Sequence, residues 1–172
     1  AKGGFNFSHR HIRYRADIPE NPDMPETGNE QIIPLGEVDF DQLSAYDSTC
    51  FPGPREIFLN SWITRPDTMA LGCLRNGRLS GYGVVRRCRE GCKIGPLFAD
   101  DAAAAMALYS NLSDFAAGGP LFLDVPENNP AALDLAHQHK MVEVFGCARM
   151  YLGPSPDIAH HRVFGVTTFE LG

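Results

Sequence analysis

The sequence predicts an α/β fold in which a mixed, mostly antiparallel central sheet carries helices on both faces. Three observations carry this expectation. Asn76-Gly77 stands between two apolar-rich runs, the strongest short-range signal of an antiparallel hairpin. Residues 92–98, 100–117 and 120–125 read as strand, helix and strand, and such a crossover returns right-handedly to a parallel neighbour. Three further helical stretches are spread along the chain, enough to cover a sheet on two sides.

Taken in order, residues 5–15 (FNFSHRHIRYR) alternate apolar and polar side chains as a strand does. Residues 17–31 carry Pro19, Pro22 and Pro25, five acids and hardly an apolar side chain. Proline fixes φ and removes a donor, and like charges repel, so this stretch is expected to be an extended linker separating the first strand from the rest of the chain. The main domain is expected over residues 32–172, opening with IIPL. Asp39 is placed to cap a helix, with Gln42 reaching back and Val38 stapled to Leu43. A second helix is expected from Gly53-Pro54, with proline in its first turn and a stripe of Ile57, Phe58, Ser61 and Trp62. The hairpin strands cover 69–75 and 78–88. Beyond the Glu90-Gly91 turn comes a third strand, 92–98, in which Gly95-Pro96 should interrupt pairing. Asp100 and Asp101 lead into an alanine-rich helix that Gly118-Gly119 stops. Residues 120–125 form a buried strand, Pro130 opens a last helix, and strands over 142–152 and 162–171 close the chain.

Composition narrows the function. With 44% hydrophobic and 21% charged side chains, the 172 residues suit one globular domain plus an appendage. Lys+Arg number 15 against 21 Asp+Glu, a formal net charge of -6, so the electrostatic footprint of a nucleic-acid binder is absent overall. No apolar run approaches the roughly 18 residues of a membrane helix, and the first residues form no signal segment. The expected setting is cytoplasmic, with neither nucleic acid nor membrane as partner.

Five scattered cysteines argue against a disulfide framework. Cys88 and Cys92 have no second pair at zinc-ligand spacing, and turn-flanking positions on a hairpin account for them, so no metal is expected. His9 and His11 lie on the first strand, His137 and His139 on the last helix, and His160-His161 in a loop, where each reads as a solvated side chain.

Several segments sharpen the pattern into a family likeness. Tyr46-Asp47, Phe51-Pro52, Arg55 with Phe58-Leu59 and Trp62, GYGVVRRCREGCKIGPLFAD, FLDVPENNPAAL, ARMY and the terminal GVTTFELG occur in one order over most of residues 32–172. Together they resemble the GCN5-related N-acetyltransferase (GNAT) superfamily, and specifically the C-terminal domain of tandem acetyltransferases of the YitH type. Ala1-Lys2-Gly3-Gly4-Phe5, which lacks an initiating methionine, resembles the passage before the final strands of a preceding acetyltransferase domain. Residues 1–16 are then the terminal strand or strands of that domain. The alternative is a tail that adds a strand to its own sheet.

The resemblance implies an acetyl-CoA-dependent N-acetyltransferase that moves an acetyl group to a primary amine by direct attack in a ternary complex. It also implies a splay between the fourth and fifth strands of the fold. The cofactor arm would enter there along Gly95, Pro96, Leu97 and Phe98, with pyrophosphate at the helix start by Ala102 and Ala103, and Asn129 touching the arm. Glu127 is the candidate general base and Tyr151 the candidate thiolate acid. Asp124, Asn128, Arg87 and Lys93 are candidate contacts for a small-molecule or peptide amine. Each has a plain structural alternative, such as capping for Glu127 and Asn129, a core hydroxyl for Tyr151 and a solvated rim for the basic residues. The phosphate loop departs from the family pattern Gln/Arg-x-x-Gly-x-Gly/Ala. Ala99-Asp100-Asp101-Ala102-Ala103-Ala104 has no glycine or arginine, and its carboxylates cap a helix but repel a pyrophosphate. A second reading therefore stands beside the first: a non-catalytic acetyltransferase-like domain supporting a catalytic N-terminal domain. An unpartnered first strand would also be a donor for strand exchange or a homodimer.

Overall fold

The computed structural model describes residues 3–20 and 30–171. Eight strands are seen: β1 (Phe5–Asp17), β2 (Gln31–Pro34), β3 (Thr68–Arg75), β4 (Arg78–Arg87), β5 (Cys92–Ala99), β6 (Pro120–Pro126), β7 (Val142–Leu152) and β8 (Val163–Gly165). Four α-helices accompany them: α1 (Phe40–Cys50), α2 (Glu56–Ile63), α3 (Ala102–Ser113) and α4 (Pro130–Gln138). The sheet order is β2-β3-β4-β5-β6-β1-β7, and β8 pairs with β5.

Local chemistry explains most of this. Asn76 and Gly77 both take positive φ, 52° and 73°, as a tight hairpin requires, and β3 and β4 pair antiparallel around them. Asp39 caps α1 by accepting from the Gln42 amide at 3.0 Å, and Asp101 caps α3 from Ala104 at 3.0 Å. The crossover through α3 returns β6 parallel to β5, as the strand-helix-strand pattern predicts. One core cluster gathers Leu108, Leu112, Leu121 and Leu135 with α3 and α4. The other joins Leu43, Leu59, Tyr82 and Phe98 with α1 and α2. Helix α2 starts at Glu56, later than Pro54, because Arg55 takes a non-helical φ of -144° as its N-cap.

Two long-range placements differ from the expectation. The first strand is not set apart: β1 pairs antiparallel with β6 from His11↔Pro126 to Asp17↔Pro120 and with β7 from Phe5↔Leu152 to Arg15↔Val142. The unpaired edge at this end of the sheet belongs to β7. Most of the acid- and proline-rich linker, residues 21–29, lies outside the described residues. The second difference concerns the chain's end. Within 162–171 only Val163–Gly165 is strand, and it lies against β5. The place between β6 and β7 is filled by β1.

Candidate functional site

Strands β5 and β6 are hydrogen-bonded only from Cys92↔Leu121 to Ile94↔Leu123 and then diverge. This is the splay that the family resemblance implies, and it opens at the Gly95-Pro96 bond, which is cis. Pro96 has no amide hydrogen to donate, so the ladder cannot run through it.

The splay is filled by the chain itself. Leu97 and Phe98 pair with Gly165 and Val163, while the Val166 amide donates to the Asp124 carbonyl at 2.9 Å. Val163, Phe164, Val166 and Thr167 are all buried. Two side chains fasten the segment, and a third holds the β5 backbone facing it. Asn129 Nδ2 donates to the His161 carbonyl at 3.1 Å and to the Val163 carbonyl at 3.0 Å. Arg55 Nη1 donates to Thr167 Oγ1 at 3.0 Å. Trp62 Nε1 donates to the Gly95 carbonyl at 2.9 Å. Backbone contact is so close that a Cβ on Gly95 would lie 2.5 Å from the Thr167 carbonyl oxygen, and glycine alone fits there.

Arg55 belongs to a buried cluster. Its Nε and Nη2 each reach Asp47 at 2.7 Å, Tyr82 donates to the same carboxylate, and the guanidinium lies over the Phe51 ring, 3.9 Å from its centroid. On the other side of the splay, Asp124 is fully buried and accepts from Arg13 at 2.7 and 2.9 Å and from Lys93. Burial pulls the Lys93 ammonium below its usual range, and Asp124 opposes that shift.

Beside the splay, and sharing Phe98, Val163 and Val166 with it as a wall, lies a second feature. A cleft is lined by His9, His11, Cys50, Phe51, Pro126, Arg149, Tyr151, Ile158 and His160. Positions i and i+2 of a strand face one side, so β1 presents His9 and His11 together; both are buried. Their Nε2 atoms are 3.0 Å apart, and His9 Nδ1 is 2.9 Å from Ser8 Oγ. Burial foremost, then the neighbouring His160 and Arg149, lowers His9 to about 4. Burial, His9 and Arg149 likewise lower His11 to about 4. Both rings are therefore neutral at pH 7, one donating to the other. Tyr151 Oη accepts from Arg149 Nε at 3.2 Å, leaving its own proton without a partner among the described residues. Burial pushes the Cys50 thiol in the wall up to about 11, so it is not a thiolate. Among the described residues no three His, Cys, Asp or Glu side chains converge as metal ligands.

The residues singled out in the sequence thus separate. Tyr151 lines the cleft. Gly95, Leu97, Phe98 and Asn129 contact or hold residues 161–167, and Ala102 and Ala103 are exposed at the start of α3. Glu127 is exposed and accepts from the Arg10 amide at 3.2 Å, with a loose ion pair to the same arginine. The four candidate amine contacts do not converge: Asp124 and Lys93 are buried against each other, whereas Arg87 and Asn128 are exposed and line neither the cleft nor the splay. His9 and His11, read in the sequence as solvated, are instead buried cleft residues. Their i, i+2 spacing on a strand was the available signal.

Residues 43–165 match the acetyltransferase (GNAT) domain family, and the chain belongs to that family. Acetyl transfer is the family's chemistry in general, and its cofactor is generally acetyl-CoA. Among known proteins the chain is similar to holothin acyltransferase from Pseudoalteromonas sp. (strain SANK 73390), with 23% identity over 99% of this chain and 57% of the relative. It superposes on a candidate acetyltransferase from Pyrococcus horikoshii with a TM-score of 0.78 and 24% identity, covering 99% of this chain and 54% of the other. A GCN5-related N-acetyltransferase from Sphaerobacter thermophilus gives a TM-score of 0.69 at 14% identity, covering 91% and 56%. The chain therefore spans little more than half the length of these proteins, and the structural likenesses establish the fold.

The residues present do not fit an acyl-CoA in the splay. The family's route for the arm is taken by residues 163–167. At the pyrophosphate end, Asp101 occupies the helix N-terminus and is held by Arg75 at 2.6 and 3.1 Å, with Asp100 accepting from the Tyr46 hydroxyl at 2.9 Å.

Proposed function

We propose that this domain serves acyl transfer by taking the amino group of a primary-amine acceptor into the narrow cleft of His9, His11, Arg149 and Tyr151. The observation that carries this reading is the neutral histidine pair in a cleft whose wall is the outer face of the splay. A neutral imidazole nitrogen can accept an amine N–H. Arg149 beside the pair disfavours an ammonium, so the cleft selects the uncharged amine, which is the form able to act as a nucleophile. Phe51, Phe98, Ile158 and Val166 supply the apolar surface. Tyr151 remains the hydrogen-bond donor in reach, and Glu127, tied to Arg10, lies outside the cleft lining.

Side-chain NMR of the full chain at pH 9.5, where an uncharged fraction of each amine is present, titrated with butylamine and with benzylamine, tests this. Saturable shifts at His9 and His11, weakened several-fold by Tyr151→Phe, are expected. Absence of saturable shifts at both rings up to about 10 mM of the uncharged form of either amine would overturn the reading, since a weaker site carries under about 3 kcal/mol of affinity.

A further inference from the structure

The donor side of the reaction leads elsewhere. We propose that this domain holds no acyl-CoA in its splay, because its own residues 163–167 fill that splay. The proposal goes beyond the amine reading and is measured without any amine, so either can fail alone.

Four independent features say that the segment is built in and is not a tail lying across an otherwise complete slot. It uses the same backbone groups an incoming arm would use: Leu97 and Phe98 on β5, and the Asp124 carbonyl on β6. It is fixed by side chains at the starts of two separate helices, Arg55 ahead of α2 and Asn129 ahead of α4. The fit is made by glycine on both sides. A Cβ on Gly95 would meet the carbonyls of Val166 and Thr167 at 2.8 and 2.5 Å, and one on Gly165 would meet Leu123 Cδ1 at 2.6 Å. Finally, Phe164, 1% exposed, is part of the core cluster beneath α3 and α4, so withdrawing the segment would open that core as well as the slot.

The phosphate end agrees by a different route. A helix N-terminus attracts an anion through unsatisfied amides, but Asp101 already accepts from the Ala104 amide and brings its own negative charge. Arg75, the cation nearest that carboxylate, is held between Asp101 and Glu30, the latter at 3.0 Å. Along this path the arm would find Leu97, Phe98 and the Asp124 carbonyl already paired, and the pyrophosphate would face the Asp101 carboxylate.

Two measurements on the full chain decide the matter. Calorimetry with acetyl-CoA is expected to show no saturable heat up to about 1 mM, a level that would reveal any Kd tighter than millimolar. Hydrogen exchange followed by mass spectrometry is expected to show residues 163–167 among the best protected of the chain, with the same protection with and without about 1 mM acetyl-CoA. Saturable binding accompanied by a tenfold or larger rise in exchange at 163–167 would overturn the proposal, because it would show the segment leaving to admit the cofactor.

Discussion

The splay and the cleft next to it share Phe98, Val163 and Val166, yet their polar groups are treated in opposite ways. In the splay, strand groups that diverge from their neighbour are given partners from the same chain: Leu97 and Phe98 by β8, the Asp124 carbonyl by Val166, the Gly95 carbonyl by Trp62. In the cleft two buried, neutral histidines lean on each other, and the half-buried Tyr151 keeps a hydroxyl proton with no described partner. Buried polar groups in native cores are nearly always satisfied. The first region therefore has the character of a core and the second that of a site. Family membership describes the shape of the first, whereas the proposed acceptor contacts lie in the second.

The contrast predicts a large effect at the anchors of the splay. Asp47→Ala removes the carboxylate shared by Arg55 and Tyr82 and leaves a buried guanidinium uncompensated, which should lower stability by about 3–5 kcal/mol. Urea denaturation measures it. A loss below about 1 kcal/mol would mean that Arg55 finds solvent or another partner, and the fastening of Thr167 through Arg55 would no longer distinguish this region.

A smaller effect is expected at Asn129. Its amide answers the His161 and Val163 carbonyls, and Asn129→Ala should cost about 1–3 kcal/mol, with faster amide exchange confined to residues 161–167. Faster exchange spread evenly over the chain would instead make Asn129 a general helix-start residue.

Much of the fold was readable locally. The Asn76-Gly77 turn, the Asp39 and Asp101 caps and the alanine-rich α3 are each written within a few residues, so their signals survive without knowledge of the rest. The site was not readable in this way. Which strand-like segment stands between β6 and β7 is a long-range choice, and period-two alternation is the same for β1 and for residues 162–171. β1 takes that position, which turns His9 and His11 into the cleft, and the closing segment lies in the splay. Lys93 misled for a related reason. It sits near Arg86, Arg87 and Arg89 in sequence and so reads as rim, but its strand parity points it at Asp124, whose burial only the tertiary structure reveals.

The cleft, for its part, should make the protein acid-sensitive. His9 and His11 are held to about 4 in the folded state against an ordinary value of 6.5. Between those values the unfolded chain binds more protons than the folded one, so stability conferred by the neutral rings is complete above about pH 6.5 and is lost as pH falls towards 4. The slope is at most about 1.4 kcal/mol per pH unit for each ring, and less for the pair because they interact. Thermal unfolding at pH 7, 6, 5 and 4 should show this decline, and the double variant His9→Gln, His11→Gln should flatten it. An unchanged slope in the double variant would place the acid sensitivity in other groups.

The smallest stability change is expected at Tyr151, and it separates the two regions most sharply. Its hydroxyl accepts from Arg149 on a partly exposed strand, a bond whose net worth is roughly 0.5–1.5 kcal/mol. Tyr151→Phe keeps the ring and its cleft surface, so the midpoint of urea unfolding should move little and exchange at residues 163–167 should not change. If the cleft holds the amine, the same variant should weaken butylamine and benzylamine binding several-fold while His9 and His11 keep their pH response. A variant that instead loosened residues 163–167 would show that the hydroxyl supports the shared wall of Val163 and Val166, and the division between a closed splay and a working cleft would have to be redrawn through Tyr151.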